Sequence, residues 1–354
     1  MNLTPYKLGD ICRMKYGKIP PSNVVADEGY PIFSGYRITG CAKEYLYDEP
    51  RVIVVARGVG GTGDVKMSPE KSWITNLSIV LDHDEGIVDK KFLLYRLGRE
   101  PLKEKLNTGA AQAQITIDSL SAYRITLPPV EAQRRIACII TAYDDLIENN
   151  RRRIQLLEQA ARLLYKEWFV HLRFPGHEHT QIIDGVPEGW EKKPLGAIAP
   201  LKYGKALKND DRVPGPFPVY GSSGIVGTHT KALVPGPTII VGRKGNVGSV
   251  YWSPDDCHPI DTVYYIDSEL CSFFLYYALQ QMTFISTDVA VPGLNRDFAH
   301  SRSILVADQK ILRLFEETVS PLHQQMELLK RQNASLVKAR DLLLPKLMNG
   351  EVVV

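Results

Sequence analysis

The sequence predicts an α+β fold: two similar mixed α/β domains joined by two long helices that form an antiparallel coiled coil. Two observations predict it. The stretch "LGDICRMKYGK" (8–18) returns as "LGAIAPLKYGK" (195–205), and "YPIFSGYRITG" (30–40) returns as "FPVYGSSGIVG" (217–227). Such ordered self-similarity is the mark of a duplicated domain. Each copy then leads into a long run whose apolar residues step alternately by four and three positions, the 3.5-residue period of a coiled-coil seam. The pattern divides the chain into a first domain (1–127), a first helical region (128–173), a linker (174–190), a second domain (191–304) and a second helical region (305–354).

Composition narrows the class without naming a function. A chain of 354 residues with 44% hydrophobic and 23% charged residues supports packed cores. Its net charge of +3 is compatible with nucleic acid but does not demand it. Five scattered cysteines without a C-x-x-C point to reduced thiols rather than disulfides or zinc. The opening "MNLTPYKLGDI" has no apolar signal core, and no run approaches membrane-spanning length, so a cytoplasmic location is expected.

In the first domain, "RVIVVARGVGGTGDV" (51–65) raises the question of a dinucleotide site. Gly58, Gly60 and Gly63 fit G-x-G-x-x-G, and Asp82 stands where a ribose-binding carboxylate would. The second copy, "TIIVGRKGNVGSV", answers it: aligned so that Arg57 faces Arg243, it has lost the glycine spacing. Neither copy continues into an amphipathic helix, whose N-terminus a pyrophosphate needs. Strand–turn–strand chemistry fits instead, and no cofactor is expected in this chain.

The first helical region opens at Pro129 and Glu131 and runs without glycine. Its seam reads Ile136, Ile140, Tyr143, Ile147, Asn150, Ile154, Leu157, Ala161, Leu164, Trp168. The linker, "FPGHEHTQIIDGVPEGW", turns the chain into the second domain; its His177-Glu178-His179 has no third partner and reads as solvated, so no metal is expected. The second seam reads Leu322, Met326, Leu329, Asn333, Leu336, Arg340, Leu343, Leu347, with Pro321 predicting a kink or break near 320. Two seams in one chain pack most simply on each other. The antiparallel arrangement is preferred because a parallel one would make the linker retrace a helix about 55 Å long. Asn150 and Asn333 would help to fix register.

Two related heads on a spacer suit a ligand with two separated elements, and double-stranded DNA is the natural candidate. The candidate contacts lie in turns. In the first domain they are Lys18, Arg57, Asn107, Thr108, Gln112 and Gln114. In the second they are Lys205, Ser222, Ser223, Arg243, Lys244, Asn246, Asn295 and Arg296. Lysine and arginine neutralise phosphates, while arginine, asparagine and glutamine make bidentate contacts to base edges. Arg57 and Arg243 have an alternative reading, in which each pins a buried carboxylate.

The layout resembles the specificity subunit of Type I restriction–modification systems. The matching pieces are the two "LG-I…YGK" openings, the "ARGVGGTG" and "GRKGNVG" turns, "LPPVEAQRRI" opening the first helix, "VPEGWEKKPLGAI" and the closing "LLLPKLMNGEV". The second helix departs from the pattern, with "LVADQKI" replacing "LPPVEAQ". The resemblance implies a non-catalytic reader of bipartite DNA, each target-recognition domain binding one half. The helices would set the gap and dock two methyltransferase subunits, with restriction subunits joining them. S-adenosylmethionine, ATP and Mg would then belong to those partners. Agreeing with this, "LPPV" (127–130) is no Asn/Asp-Pro-Pro-aromatic methyltransferase box, and there is no P-loop. The rival class is a structural coiled-coil protein whose heads bind proteins or glycans. An enzyme using the Gly58–Gly63 loop stands third.

Overall fold

The computed structural model describes residues 3–58, 61–109, 112–284 and 293–352. Val59 and Gly60 of the glycine turn lie outside these. The chain forms two compact units, Met1–Asn149 with Gln332–Val354, and Asn150–Arg331. Both long helices contribute to both units.

In the first unit, the β-branched run Val52–Val55 is buried along its whole length and forms an inner strand. It belongs to an antiparallel sheet in the order Cys12–Tyr16, Ser78–His83, Val52–Val55, Val65–Met67. A second sheet orders Val25–Ala26, Arg37–Ala42, Tyr30–Ser34 and Trp73–Ile74, the last two strands running parallel. Thr4–Lys7 pairs antiparallel with Arg124–Leu127, which brings the start and end of the domain together just before the first long helix.

The second unit repeats this plan. Its antiparallel sheet orders Lys202–Tyr203, Val263–Ile266, Thr238–Gly242 and Val250–Ser253. Its other sheet has Gly224–His229, Phe217–Gly221 and His258–Pro259, again closing on a parallel pair. Glu191–Pro194 pairs with Ser303–Val306 as the closing strands do in the first domain.

The ladders correct the alignment of the two glycine turns. Tyr16 faces Ile79, which faces Val54; Tyr203 faces Tyr264, which faces Val241. Val54 therefore corresponds to Val241, Ala56 to Arg243, and Arg57 to Lys244. Two isolated bridges agree, Arg57 with Gln114 and Lys244 with Gly293. Similar β-branched runs tolerate a one-residue slip by eye, whereas a paired ladder does not.

The repeated "YGK" has a structural cause. At Gly17 a Cβ would lie 2.3 Å from the carbonyl oxygens of Ile74 and Thr75, and at Gly204 one would lie 2.1 Å from that of Ile260. Only glycine allows so close a crossing. The next residue is then tied down: Lys18 N donates to Ile74 O at 2.9 Å and Lys205 N to Pro259 O at 3.0 Å.

The first long helix is Val130–Tyr165, continued by a π-helical turn at Lys166–Val170 that holds Trp168. The second is Gln309–Met348, capped by Asp308, whose Oδ1 accepts from Lys310 N and Ile311 N. This cap supplies the helix start that "LVADQKI" disguises. Of the expected kink or break, the break does not occur: the helix runs on through Pro321. Val319 and His323, one turn apart on the same face and both buried, hold it against the second domain. Every seam residue of both helices is buried or half-buried. In the first unit the helices run antiparallel, because Asp144 meets Arg340 while the later Ile147 meets the earlier Asn333.

The linker is more than a turn. Phe174 and Trp190 are buried, with ring centroids 4.7 Å apart, and Ile182–Ile183 forms a short hairpin with Val186–Pro187. Among the described residues no helix is long and apolar enough to cross a membrane.

Candidate nucleic-acid interface

In the first domain, the loop before the helix Ile117–Ser121 folds onto the end of the inner strand. Ile115 N donates to Ala56 O at 2.8 Å, and Gln114 bridges Arg57. Asn107 Oδ1 accepts from Gly109 N at 3.0 Å and from Gln114 N at 2.9 Å, and Thr108 donates through N and Oγ1 to Gln114 O. Arg57, Asn107, Thr108 and Gln114 are thus brought together, with Gln112 exposed on the same loop. Arg57 is exposed and forms no ion pair among the described residues, so the carboxylate-pinning alternative has no support there.

Lys18 sits elsewhere, on the turn after Cys12–Tyr16. Its carbonyl accepts from Trp73 Nε1 at 2.7 Å, while its side chain is exposed. In the second domain His258 Nε2 takes the place of the indole, 3.3 Å from Lys205 O. Sequence reading missed Trp73 and His258, and their only signal was their matched position in the "MSPEKSW" and "WSPDDCH" stretches.

The second glycine turn is tied to the adjoining hairpin. Asn246 Nδ2 donates to Ser223 Oγ at 3.3 Å, and Ser222 O accepts from Ser249 Oγ and Tyr251 Oη. Ser222, Ser223 and Asn246 therefore form one group. Arg243, Lys244, Asn295 and Arg296 form another, around a cavity of about 430 Å³ that Tyr203 and Tyr264 also line. Arg243 Nη1 donates to Asp261 O at 3.0 Å, a backbone rather than a carboxylate partner. Burial first, and Tyr203 second, push the Tyr264 hydroxyl up to about 12, so it stays neutral and donates to Leu294 O at 2.8 Å.

Two asparagines are partly committed within the protein. Asn295 Oδ1 caps the helix Arg296–Ser301 by accepting from Phe298 N, and Asn107 Oδ1 closes its own loop. A bidentate adenine contact uses both ends of the amide. Asn107, whose oxygen already accepts twice, keeps only its NH₂ for an outside acceptor, while Asn295 keeps its NH₂ and one further acceptor site on its oxygen.

A further residue that sequence reading did not single out joins the first domain to its helix. Gln133, fully buried, accepts from Asp89 N at 3.0 Å and donates to Ile87 O and Pro128 O. Its signal was present in "LPPVEAQ", where a glutamine follows the helix start.

Comparison with known proteins agrees with the duplicated architecture. The family described as the Type I restriction modification DNA specificity domain matches residues 2–159 and 187–301, one match over each copy. The chain is 25% identical over 309 residues to the Type I restriction enzyme MjaIX specificity subunit of Methanocaldococcus jannaschii, covering 76% of this chain and 70% of that one. It is 26% identical over 327 residues to the HindI specificity subunit of Haemophilus influenzae, covering 68% and 71%. Its fold is that of the crystal structure of the Type I restriction–modification S subunit from M. genitalium, with TM-score 0.71, 21% identity and 98% and 96% of the two chains covered.

Proposed function

Since the chain belongs to the Type I restriction modification DNA specificity family, we propose that it is the non-catalytic, sequence-specific DNA-binding subunit of a Type I restriction–modification complex. Each domain reads one half of a bipartite target in double-stranded DNA. The helices set the gap and dock two methyltransferase subunits, which restriction subunits join. S-adenosylmethionine, ATP and Mg act in those partners. The observation that carries this reading is that the family matches twice, once over each of two domains whose four-stranded antiparallel sheets share one strand order.

The candidate chemistry is consistent with it. Each domain presents, beside a strand-end loop, a cation that has no ion-pair partner among the described residues, Arg57 in one and Lys244 in the other. Such groups position a protein on phosphates, and arginine also reads guanine.

The test is co-expression with an adenine methyltransferase subunit from a related system. The expected product is a complex of one copy of this chain with two methyltransferases that methylates duplex DNA at a two-part site. The chain alone, given S-adenosylmethionine, should leave DNA unmethylated. Methylation by the purified chain alone, or salt-independent failure to bind any duplex, would overturn the proposal.

A further inference from the structure

We propose that the second domain grips successive DNA backbone phosphates with a cluster of three cations that the first domain lacks, so that the two domains hold DNA with unequal dependence on salt. This rests on the DNA-reading function proposed above and deepens it.

The three cations gather around one cavity. The guanidinium groups of Arg243 and Arg296 each lie over Tyr203, both 5.0 Å from its centroid, and Lys244 lines the same cavity. Among the described residues, no carboxylate lines it. The nearest partner of Arg296, Asp297 Oδ1, stands 4.0 Å from its Nε, at the edge of ion-pair range, on a side chain 89% exposed. That same Nε is buried and has no hydrogen-bond partner among the described residues. Like charges that line one cavity repel, and an aromatic face only partly offsets that cost. A base edge is neutral and would leave the repulsion in place. Phosphodiesters each bring a full negative charge and several acceptors, which suits guanidinium and ammonium groups that line one cavity.

The first domain has the same frame with different contents. By the strand register Tyr203 corresponds to Tyr16, Arg243 to Ala56 and Lys244 to Arg57. Asn295 and Thr116 both cap the helix that follows, so Arg296 corresponds to Ile117. Three cations in the second domain become one in the first. The aromatic platform is kept and the charge is not.

Phosphate contacts do not depend on base sequence, so a mixed-sequence duplex of roughly 30 base pairs serves as probe for the full chain. Affinity is measured between about 50 and about 200 mM KCl, where each phosphate contact contributes a slope of about −0.9 in log K against log salt. Arg296→Gln and Lys244→Gln are each expected to reduce the slope by about one contact, shrinking the salt effect over that range about 3.5-fold. Combining them with Arg243→Gln should remove about three contacts, against about one for Arg57→Gln in the first domain. Arg243 also bonds Asp261 O, so if its variant misfolds, the Arg296→Gln and Lys244→Gln slopes decide. Unchanged slopes, a loss confined to particular sequences, or a combined variant no different from Arg57→Gln would overturn the pocket. Failure of the unaltered chain to bind duplex DNA would instead overturn the function on which it rests.

Discussion

Arg340 Nη1 lies 2.6 Å from Asp144 Oδ1, and Tyr95 Oη donates to the other oxygen of that carboxylate at 2.6 Å. One carboxylate on the first long helix thus joins the second helix to a helix of the first domain. Burial, then the bond to Asp144, pushes the Tyr95 hydroxyl up to about 12, keeping it a donor.

Removing that carboxylate should loosen both attachments. Asp144→Ala is expected to cost about 1–2 kcal/mol, since it takes one acceptor from a half-buried guanidinium, which keeps Asp341, and the main acceptor from the Tyr95 phenol. The pair is about a third exposed, so the Asp144–Arg340 coupling alone should be only about 1 kcal/mol. A double-mutant cycle by chemical denaturation measures it. Zero coupling would mean that the ion pair is a surface contact without structural weight.

His323 should make the second unit sensitive to acid. Burial, and secondarily Lys330, lower its imidazole to about 4, and its Nε2 pairs with Tyr277 Oη at 2.8 Å. A folded value below the unfolded one means that the folded state binds fewer protons. Stability from this group is therefore full above about pH 6.5 and drains away as pH falls toward 4. The total is on the order of 3 kcal/mol. His323→Gln keeps a hydrogen-bonding group without titrating, so it should flatten that part of the curve. Glu100 acts in a separate window: burial raises it, but bonds from Lys105, Tyr123 and Arg96 prevail and hold it at about 2. Its contribution is lost only below the usual carboxylate range. Melting curves for both proteins from pH 7 to about pH 4.5 separate the two, and identical slopes would refute the histidine's role.

Arg57 and Lys244 occupy matched positions, so each should serve its own half-site. On a target recovered by binding-site selection, Arg57→Ala should weaken dependence on one half, by about 1–3 kcal/mol if it makes a bidentate base contact. Lys244→Ala should act on the other half and more evenly across sequences, because an ammonium works as a point charge. Duplexes with one half scrambled at a time distinguish these outcomes. If both variants respond to the same half, the correspondence between the turns has no functional meaning.

How much of this could be read from residues alone depended on the range of the interactions. The seams were legible because a coiled coil is a local periodicity, and the repeats because whole motifs recur in order. The register of the glycine turns was not, since "VIVV" and "TIIV" look alike in either of two phases. What decides between them is pairing with strands far along the chain, as Val54 with Ile79. The same holds for Asn107, whose commitment to Gln114 depends on a closed loop, and for Trp73, which reaches a carbonyl 55 residues away. Pro321 is the reverse case. A local rule foresaw a kink or a break, and the helix does not break, because the lost hydrogen bond is outweighed by packing along a helix of 40 residues.

The helices can be tested as the ruler for the two half-sites. Seven residues inserted into each helix at matched seam phase should lengthen both while keeping Ile154 and Leu336 on the seam. The added length is about 10.5 Å at 1.5 Å per residue, equivalent to roughly 3 base pairs at 3.4 Å each. The preferred gap should grow by that amount, with both half-site sequences unchanged. Three added base pairs also rotate one half-site by about 100° on B-DNA, so affinity should fall unless the domains swivel. An insertion of three or four residues shifts the seam by half a heptad and turns Ile154 or Leu336 toward solvent, and it should destabilise the chain as well as weaken binding. Selection from a duplex library with randomised gap lengths reads the result. A folded heptad-insertion variant that kept the original gap would show that something other than the helices measures the distance.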